Sequence, residues 1–211
     1  MYNWISQLYE NPDLLRMGHC QSPVDLNLGM GWLYYGFTRL MRPQKVVVIG
    51  SWRGFSPLVF SKALADNAEN GVVYFIDPSL ADDFWKDPGK VSEYFRSYGA
   101  DNIRHYLMTT QEFVKSDIYK TLDDIGIVFI DGLHTKEQAK FDYEAFKDKL
   151  SENGIMFFHD SVSIRENKKL YAPDKKYLKD VKLFVDALKT DTTLQVIDLP
   201  FAGGLTLARR T

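Results

Sequence analysis

The sequence is poor in cysteine and lacks a long apolar run. Cys20 is the only cysteine in 211 residues, which excludes an internal disulfide and a cysteine-based zinc cluster. No apolar stretch approaches the ~18 residues that span a bilayer, so a membrane partner is not expected. The first residues include acids but no basic segment, unlike a secretory signal, and a cytoplasmic location is therefore predicted.

An excess of positive charge is also absent. Lys and Arg total 26 against 28 Asp and Glu, which gives a formal net charge of −2. Proteins that bind nucleic acid need a strongly basic surface, so nucleic acid is not an expected partner. The hydrophobic fraction of 45% and the charged fraction of 26% are typical of a folded globular chain, and the length indicates one main domain.

What the sequence does contain is a series of short apolar runs separated by stretches with helical periodicity. Strands that are apolar throughout need cover on both faces, which is typical of a parallel sheet buried between helices. Two further runs near the end of the chain, 193–199 and 204–210, are too close together for a helix between them. The five earlier runs are 45–50, 71–77, 102–108, 125–131 and 154–160.

This alternation predicts the α/β fold class: a doubly wound, mostly parallel seven-stranded sheet with an antiparallel C-terminal edge hairpin. Ser56 is predicted to cap a helix that begins at Pro57, and Gly154 is predicted to begin a strand. Residues 1–42 form an aromatic-rich extension, expected to pack on the sheet edge and to serve as a lid or a homodimer surface. Residues 43–211 form the main domain, in which residues 161–177 are an insertion.

The predicted strands end in residues that carry chemistry. Ligands of open parallel sheets bind at the carboxyl ends of the strands, where Asp77 and Asp131 follow two of these runs. The glycine loop at 50–56 reads G-x-x-x-G-x-S, which fits neither the dinucleotide loop nor the nucleoside triphosphate loop. An acid some 20 residues after the loop suits the two hydroxyls of a ribose. A nucleoside without phosphates fits this arrangement best.

Three motifs resemble one family. VVVIGSWRGFS and YFIDPS are similar to the first two motifs of class I S-adenosylmethionine-dependent methyltransferases. The pattern from IVFIDGLH to FFHD resembles the small-molecule O-methyltransferase subgroup of the macrocin and catechol types. The resemblance implies a donor site for S-adenosylmethionine in which Asp77 binds the ribose. The other donor residues implied are Gly50, Ser51, Gly54 and Ser56 for the glycine loop, and Thr109 and Thr110 beside the adenine.

The same resemblance implies the reactive residues. Asp131, His159 and Asp160 match metal-ligand positions, and an imidazole among them disfavours Mg²⁺ and leaves Mn²⁺ or another divalent ion open. Without a metal, His159 would hydrogen-bond Asp131 and orient it. His134 is the candidate general base for a substrate hydroxyl, beside Asp131 as the second catalytic residue. His19 lies in no motif and is expected to be structural, as is His105.

Several alternatives stay open on the sequence alone. His134 is alternatively an exposed turn residue, and Thr109 a helix cap before Glu112. The insertion and its flank, 165–182, carry seven basic against three acidic residues. This segment is either a solvated loop and helix start or a lid that favours a small-molecule acceptor that is anionic or sugar-like. An NAD(P)-dependent oxidoreductase and a non-catalytic nucleoside-binding module are the competing functions on the same fold.

Overall fold

A seven-stranded sheet forms the centre of the molecule. The computed structural model describes residues 1–15, 18–168 and 176–211. The strands are β1 Lys45–Ile49, β2 Val72–Ile76, β3 Ile103–Tyr106, β4 Ile125–Ile130, β5 Leu150–His159, β8 Leu194–Leu199 and β9 Leu205–Arg210. Their spatial order is β3-β2-β1-β4-β5-β9-β8. Strands β1 to β5 are parallel and β9 is antiparallel to both of its neighbours, which confirms the predicted fold class.

Helices cover both faces of this sheet. Strand residues alternate between two apolar clusters, so that Val46 and Val48 face one helical layer while Val47 and Ile49 face the other. This two-sided burial is the reason for the continuous apolar runs in the sequence. The helices are α1 Tyr2–Tyr9, α2 Gly31–Met41, α3 Phe55–Asn67, α4 Pro88–Ser97, α5 Thr110–Phe113, α6 Asp117–Thr121, α7 Lys136–Phe146 and α8 Val181–Leu188.

The N-terminal segment packs on a face of the sheet and not on its edge as predicted. The ring of Tyr34 in α2 is fully buried, 4.7 Å from the ring of Phe129 in β4 and 5.5 Å from that of Phe60 in α3. Because β4 is a central strand, α2 covers the middle of the sheet. Apolar side chains of α1 and α2 form part of the main core.

Two predicted element boundaries are wrong. Gly54, and not Ser56, precedes the first residue of α3, because only its left-handed backbone (φ +83°) allows the sharp entry into the helix. Ser56 is buried within the first turn instead. The fifth strand begins at Leu150, four residues before Gly154, and its pairing with β4 shifts register between Ile125 and Ile127.

The predicted insertion contains a hairpin. Strands β6 (Arg165–Lys168) and β7 (Lys176–Lys179) pair in antiparallel fashion as a separate two-stranded sheet. Residues 169–175, which include Lys169, lie outside the described residues. In the described part of the chain, no helix has the length and apolar character needed to cross a membrane.

Candidate active site

One cavity of about 450 Å³ opens at the carboxyl edge of the parallel strands. It lies where the strand order reverses between β1 and β4, the position at which doubly wound sheets bind ligands. Its volume is within the range of small-molecule sites. Among its lining residues are Gly50, Ser51, Asp77, Thr109, Thr110, Asp131, His134, His159 and Asp160, together with His19, Asp142, Arg165 and Lys179.

The glycine loop begins where β1 and β4 diverge. A Cβ on Gly50 would lie 2.5 Å from the carbonyl oxygen of Asp131, and the residue has φ +76°. Only glycine fits this approach of two backbones. The Ser51 hydroxyl accepts a hydrogen bond from the Gly54 amide at 3.2 Å, and the Ser56 hydroxyl lies 3.3 Å from it. The loop therefore holds its shape through its own serines.

Asp77 is fixed by main-chain amides. One carboxylate oxygen accepts from the Ser51 amide at 3.0 Å and the other from the Ser79 amide at 2.7 Å. Burial raises the pKa of Asp77 to about 6, against the opposing effect of these two hydrogen bonds. Each carboxylate oxygen keeps a second lone pair, so the group can still accept hydrogen bonds from two hydroxyls.

The two threonines after β3 combine both predicted roles. Thr109 caps α5 in a capping box with Glu112, because its hydroxyl accepts from the Glu112 amide while the Glu112 carboxylate accepts from the Thr109 amide. Thr109 and the buried Thr110 also line the cavity. The cap thus holds the start of α5 against the site.

Asp131 and His159 form a buried pair at the ends of β4 and β5. Nδ1 of His159 lies 2.7 Å from Oδ1 of Asp131. Burial alone would lower the pKa of His159, but the Asp131 carboxylate outweighs burial and raises it. Asp131 therefore engages Nδ1, whereas the buried Nε2 has no hydrogen-bond partner among the described residues. Nε2 is the imidazole nitrogen left for a ligand.

His134 is held over this pair. Its Nε2 lies 3.7 Å from Asp131 and 3.8 Å from Asp160, and its side chain is only 12% exposed, which excludes the exposed turn. Burial, together with the charge of Lys179, lowers the pKa of His134 to about 4. The carboxylates of Asp131 and Asp160 act in the opposite direction. The imidazole is therefore neutral near pH 7 and able to accept a proton.

Asp160 is neutralised by two cations. Its carboxylate accepts a hydrogen bond from Nζ of Lys179 at 2.8 Å and pairs with Arg165. Burial opposes ionisation, but His159, His134 and Lys179 together hold the pKa of Asp160 well below its usual range. The Asp160 carboxylate is thus compensated by neighbouring cations.

His19 was expected to be structural, yet the structure places it in the cavity wall. Its ring lies 4.6 Å from that of His159, and its Nδ1 is 3.0 Å from the Tyr34 hydroxyl. Burial lowers the pKa of His19 to about 3, so the ring is neutral. No local motif marks this residue, nor Lys179, because each reaches the site from a distant segment. His105 packs beside Phe75, outside the reactive end.

The donor atoms at this end suit a metal ion. Ligand atoms of Asp131, His134 and His159 all lie within 4.8 Å of one another, and an imidazole nitrogen such as the Nε2 of His159 is the kind of group that a metal engages. The predicted set contained Asp160 in place of His134. The cations on Asp160 make that carboxylate less available, whereas Asp131 and His159 belong to both sets.

The sheet order and the cavity define the class I S-adenosylmethionine-dependent methyltransferase fold, as solved structures of similar shape confirm. O-methyltransferase TomG from Streptomyces achromogenes, solved with S-adenosylmethionine, is 17% identical with a TM-score of 0.58, covering 98% of this chain and 86% of TomG. An O-methyltransferase from Bacillus cereus, solved with S-adenosylhomocysteine, is 12% identical with a TM-score of 0.66, and the match covers 99% of this chain and 91% of the Bacillus chain. The methyltransferase PaMTH1 from Podospora anserina is 17% identical with a TM-score of 0.66, and the match covers 100% of this chain and 89% of PaMTH1.

The chain belongs to the family described as "Methyltransferase domain", which it matches over residues 47–161, more than half its length. The predicted family is thereby confirmed. A curated relative, the uncharacterized protein y4gI of Sinorhizobium fredii, is 26% identical over 152 residues. That match covers 64% of this chain but 16% of y4gI, so the chain spans about a sixth of that relative's length.

Proposed function

We propose that the protein transfers a methyl group from S-adenosylmethionine to an oxygen of a small-molecule acceptor. The observation that carries the proposal is the single cavity at the switch point, which joins the amide-held carboxylate of Asp77 to the buried pair of Asp131 and His159. Family membership supports the reaction type. Solved neighbours that are O-methyltransferases bound to this donor or its product support the donor and the acceptor atom.

The donor is proposed to lie along β1 and β2. Asp77 accepts hydrogen bonds from the ribose hydroxyls, and the loop of Gly50, Ser51, Gly54 and Ser56 holds the methionine part. The main-chain amides on Asp77 keep its carboxylate in place before the donor arrives, so binding requires little reorganisation. The wall at Thr109 and Thr110 then flanks the adenine.

Transfer requires geometry and one proton acceptor. A sulfonium is a good leaving group, so the protein has to hold acceptor oxygen, methyl carbon and sulfur in line. Neutral His134 takes the hydroxyl proton at Nε2. The resulting imidazolium faces the carboxylates of Asp131 and Asp160 at 3.7 and 3.8 Å, which stabilise its charge.

A divalent ion is a separate part of the proposal. Asp131 and His159 would hold it with Asp160, as predicted. A set with His134 in place of Asp160 also has suitable distances, but it would occupy the imidazole and exclude His134 as the base. Such an ion would supply a positive charge that an acceptor could chelate and that would lower the pKa of the acceptor's hydroxyl. Nitrogen ligands favour Mn²⁺, Fe²⁺ or Zn²⁺ over Mg²⁺. Metal content by mass spectrometry, and turnover with and without a chelator, test this part; full activity in strong chelator would discard it.

The acceptor is proposed to enter beside Arg165 and Lys179. Both cations line the cavity, which supports an anionic or sugar-like acceptor. Neutralising Lys168 and Lys169, whose side chains lie outside the described residues, is predicted to raise the KM for the acceptor; an unchanged KM would remove the insertion from acceptor binding. A homodimer through residues 1–42 is a further part of the proposal, which sedimentation tests.

Calorimetry with S-adenosylhomocysteine and with NAD⁺ tests the function directly. Binding of the former alone supports the proposal, and preference for NAD⁺ would establish the oxidoreductase instead. Methyl transfer from labelled donor to a panel of phenols, sugars and hydroxy acids then distinguishes an enzyme from a non-catalytic nucleoside-binding module.

A further inference from the structure

His19 presents to the cavity a ring nitrogen that the proposed reaction does not use. The ring is buried and lines the cavity beside His159. Its Nδ1 lies 3.0 Å from the Tyr34 hydroxyl, whereas Nε2 has no hydrogen-bond partner in the described part of the chain. Among the described residues, the completely enclosed side-chain atoms without a partner belong to Asn67, Asp142 and His159. Nε2 of His19 is not one of these atoms, so it keeps accessible surface that a molecule in the cavity can reach.

Tyr34 determines which nitrogen of His19 carries the proton. The tyrosine is fully buried, and Nδ1 of His19 is the one hydrogen-bond partner of its hydroxyl within the part of the chain that the structure describes. A buried hydroxyl proton without an acceptor is unfavourable, so the hydroxyl donates to Nδ1 and Nδ1 carries no proton. Burial lowers the pKa of His19 to about 3, so the neutral ring has a single proton. That proton is therefore on Nε2, and His19 offers the cavity an N–H donor.

His19 lies at the end of the cavity where the acceptor is proposed to react. Its ring is 4.6 Å from that of His159, which ends β5, whereas the donor is proposed to lie along β1 and β2, on the other side of β4. The ring of His134, the proposed base, is 6.1 Å from the same His159 ring. An acceptor whose hydroxyl contacts His134 is therefore close to His19 as well.

We propose that Nε2–H of His19 donates a hydrogen bond to a second oxygen of the acceptor, beside the hydroxyl that is methylated. This inference rests on the proposed function and adds the class of acceptor, a molecule with two neighbouring oxygens. His134 accepts from the reacting hydroxyl and His19 donates to the oxygen next to it, so the two imidazoles have complementary roles. A methylene group at the second position would leave the N–H unpaired, and such acceptors are disfavoured.

The first test needs no acceptor. Long-range nitrogen–proton NMR spectra of the intact labelled protein distinguish the two neutral tautomers of each histidine, and the signals missing from His19→Gln assign those of His19. We expect the proton of His19 on Nε2. A proton on Nδ1 would overturn the proposal, because Nε2 could then only accept a hydrogen bond.

The second test compares acceptors in which one oxygen is exchanged for a methylene. Guaiacol is paired with ortho-ethylphenol, and vanillate with the analogue whose methoxy group is replaced by ethyl. Calorimetry on protein saturated with S-adenosylhomocysteine measures affinity, and methyl transfer from labelled donor measures kcat/KM. We expect the oxygen-bearing member of each pair to be favoured about tenfold. The absence of any preference in both pairs would overturn the proposal, whereas no affinity for S-adenosylhomocysteine would overturn the proposed function itself.

The third test assigns the preference to His19. His19→Phe keeps an aromatic ring against His159 but removes the donor, so the preference for oxygen should fall below about twofold. His19→Gln restores an N–H donor and should keep a preference of about fivefold. A folding defect would weaken both members of a pair together, so the ratio isolates recognition. His105→Phe, at a histidine that packs on Phe75 outside the reactive end, is the matched control and should keep the wild-type preference.

Two outcomes of these variants would refute the inference. An unchanged preference in His19→Phe would remove His19 from acceptor binding, and an equal loss in His19→Phe and His19→Gln would make the ring structural. The ring also packs 4.9 Å from Phe55, just after the glycine loop, so affinity for S-adenosylhomocysteine is measured alongside. It should stay within about twofold in His19→Phe, whereas a loss of about tenfold with the acceptor preference intact would assign the N–H to the donor and overturn the proposal.

Discussion

At the β1–β2 end of the cavity, main-chain amides hold one carboxylate, whereas at the β4–β5 end side chains hold one another. Asp77 depends on the amides of Ser51 and Ser79, which the fold of a short local loop supplies. Asp131, by contrast, depends on the charge of His159, which in turn packs against His19 from the N-terminal segment.

The difference predicts how each end responds to change. A carboxylate held by backbone amides loses its place only when the loop itself is disturbed. Side chains that share partners are coupled, so a change in one alters the charge and position of the others. Substitutions at the β4–β5 end should therefore have larger and less additive effects on turnover. Substitutions at the β1–β2 end should mainly change the affinity for the donor.

The largest effect is expected at His134. Replacing it with alanine removes the proton acceptor, so turnover should fall by about 10²–10⁴-fold while affinity for S-adenosylhomocysteine stays within about twofold. Steady-state kinetics and calorimetry measure the two quantities. Lys136→Ala, an exposed neighbour at the start of α7, is the control and should keep wild-type turnover. Unchanged turnover in His134→Ala would remove the base assignment.

Gly50→Ala should disrupt the donor end as a whole. The added Cβ would meet the carbonyl of Asp131 at 2.5 Å, on a backbone with φ +76°. Overpacking and the left-handed backbone together should lower the free energy of unfolding by about 3 kcal/mol. Urea denaturation measures the change.

Gly36→Ala in α2 is the matched control for that glycine. A Cβ there meets no atom within 4 Å, and alanine is the better helix former. The free energy of unfolding should rise by ~0.5–1 kcal/mol. Equal changes in the free energy of unfolding for Gly50→Ala and Gly36→Ala would contradict the close approach of β1 and β4.

Acidification should weaken donor binding about tenfold between pH 7.5 and pH 5. Asp77, with its pKa raised to about 6, is ionised above that pH and accepts ribose hydrogen bonds best in that form. Below pH 6 the protonated group loses acceptor capacity, so affinity falls in proportion to the ionised fraction. Asp77→Asn should bind more weakly at pH 7.5 and lose this part of the pH dependence. A wild-type affinity that is flat over this range would contradict the role of Asp77.

Tyr34→Phe should have the smallest effect. It removes the hydroxyl that lies 3.0 Å from Nδ1 of His19 and leaves a buried nitrogen unpaired. The free energy of unfolding should fall by about 1–2 kcal/mol, and turnover by a few fold as His19 loosens beside His159. Tyr2→Phe, at an exposed position, is the control for both measurements. Loss of stability without any loss of turnover would make His19 purely structural.

The sheet and the donor loop were predictable because their determinants are local. The apolar run at 45–50 predicts a buried strand without reference to the rest of the chain, and the observed β1 spans Lys45–Ile49. Asp77 and Asp131 were placed at one edge by the rule that parallel strands end together. The cap of α7 is equally local, since the Thr135 hydroxyl accepts a hydrogen bond from the Gln138 amide three residues later.

The rest depends on contacts between distant segments. The pattern Ser-Pro predicts a cap at Ser56, whereas the left-handed backbone of Gly54, two residues earlier, begins the helix. The face on which α2 packs follows from the fit of Tyr34 against Phe129, which periodicity does not encode. Lys179 reaches Asp160 only through the hairpin after β5, so the neutralising partner of that carboxylate could not be named in advance.

The family match begins at residue 47, yet His19 and Tyr34 precede it. A wall of the cavity beside His159 therefore comes from a stretch that the family model does not cover. Under the proposed function, substitutions in that stretch that spare the buried ring of Tyr34 would change the surroundings of the acceptor.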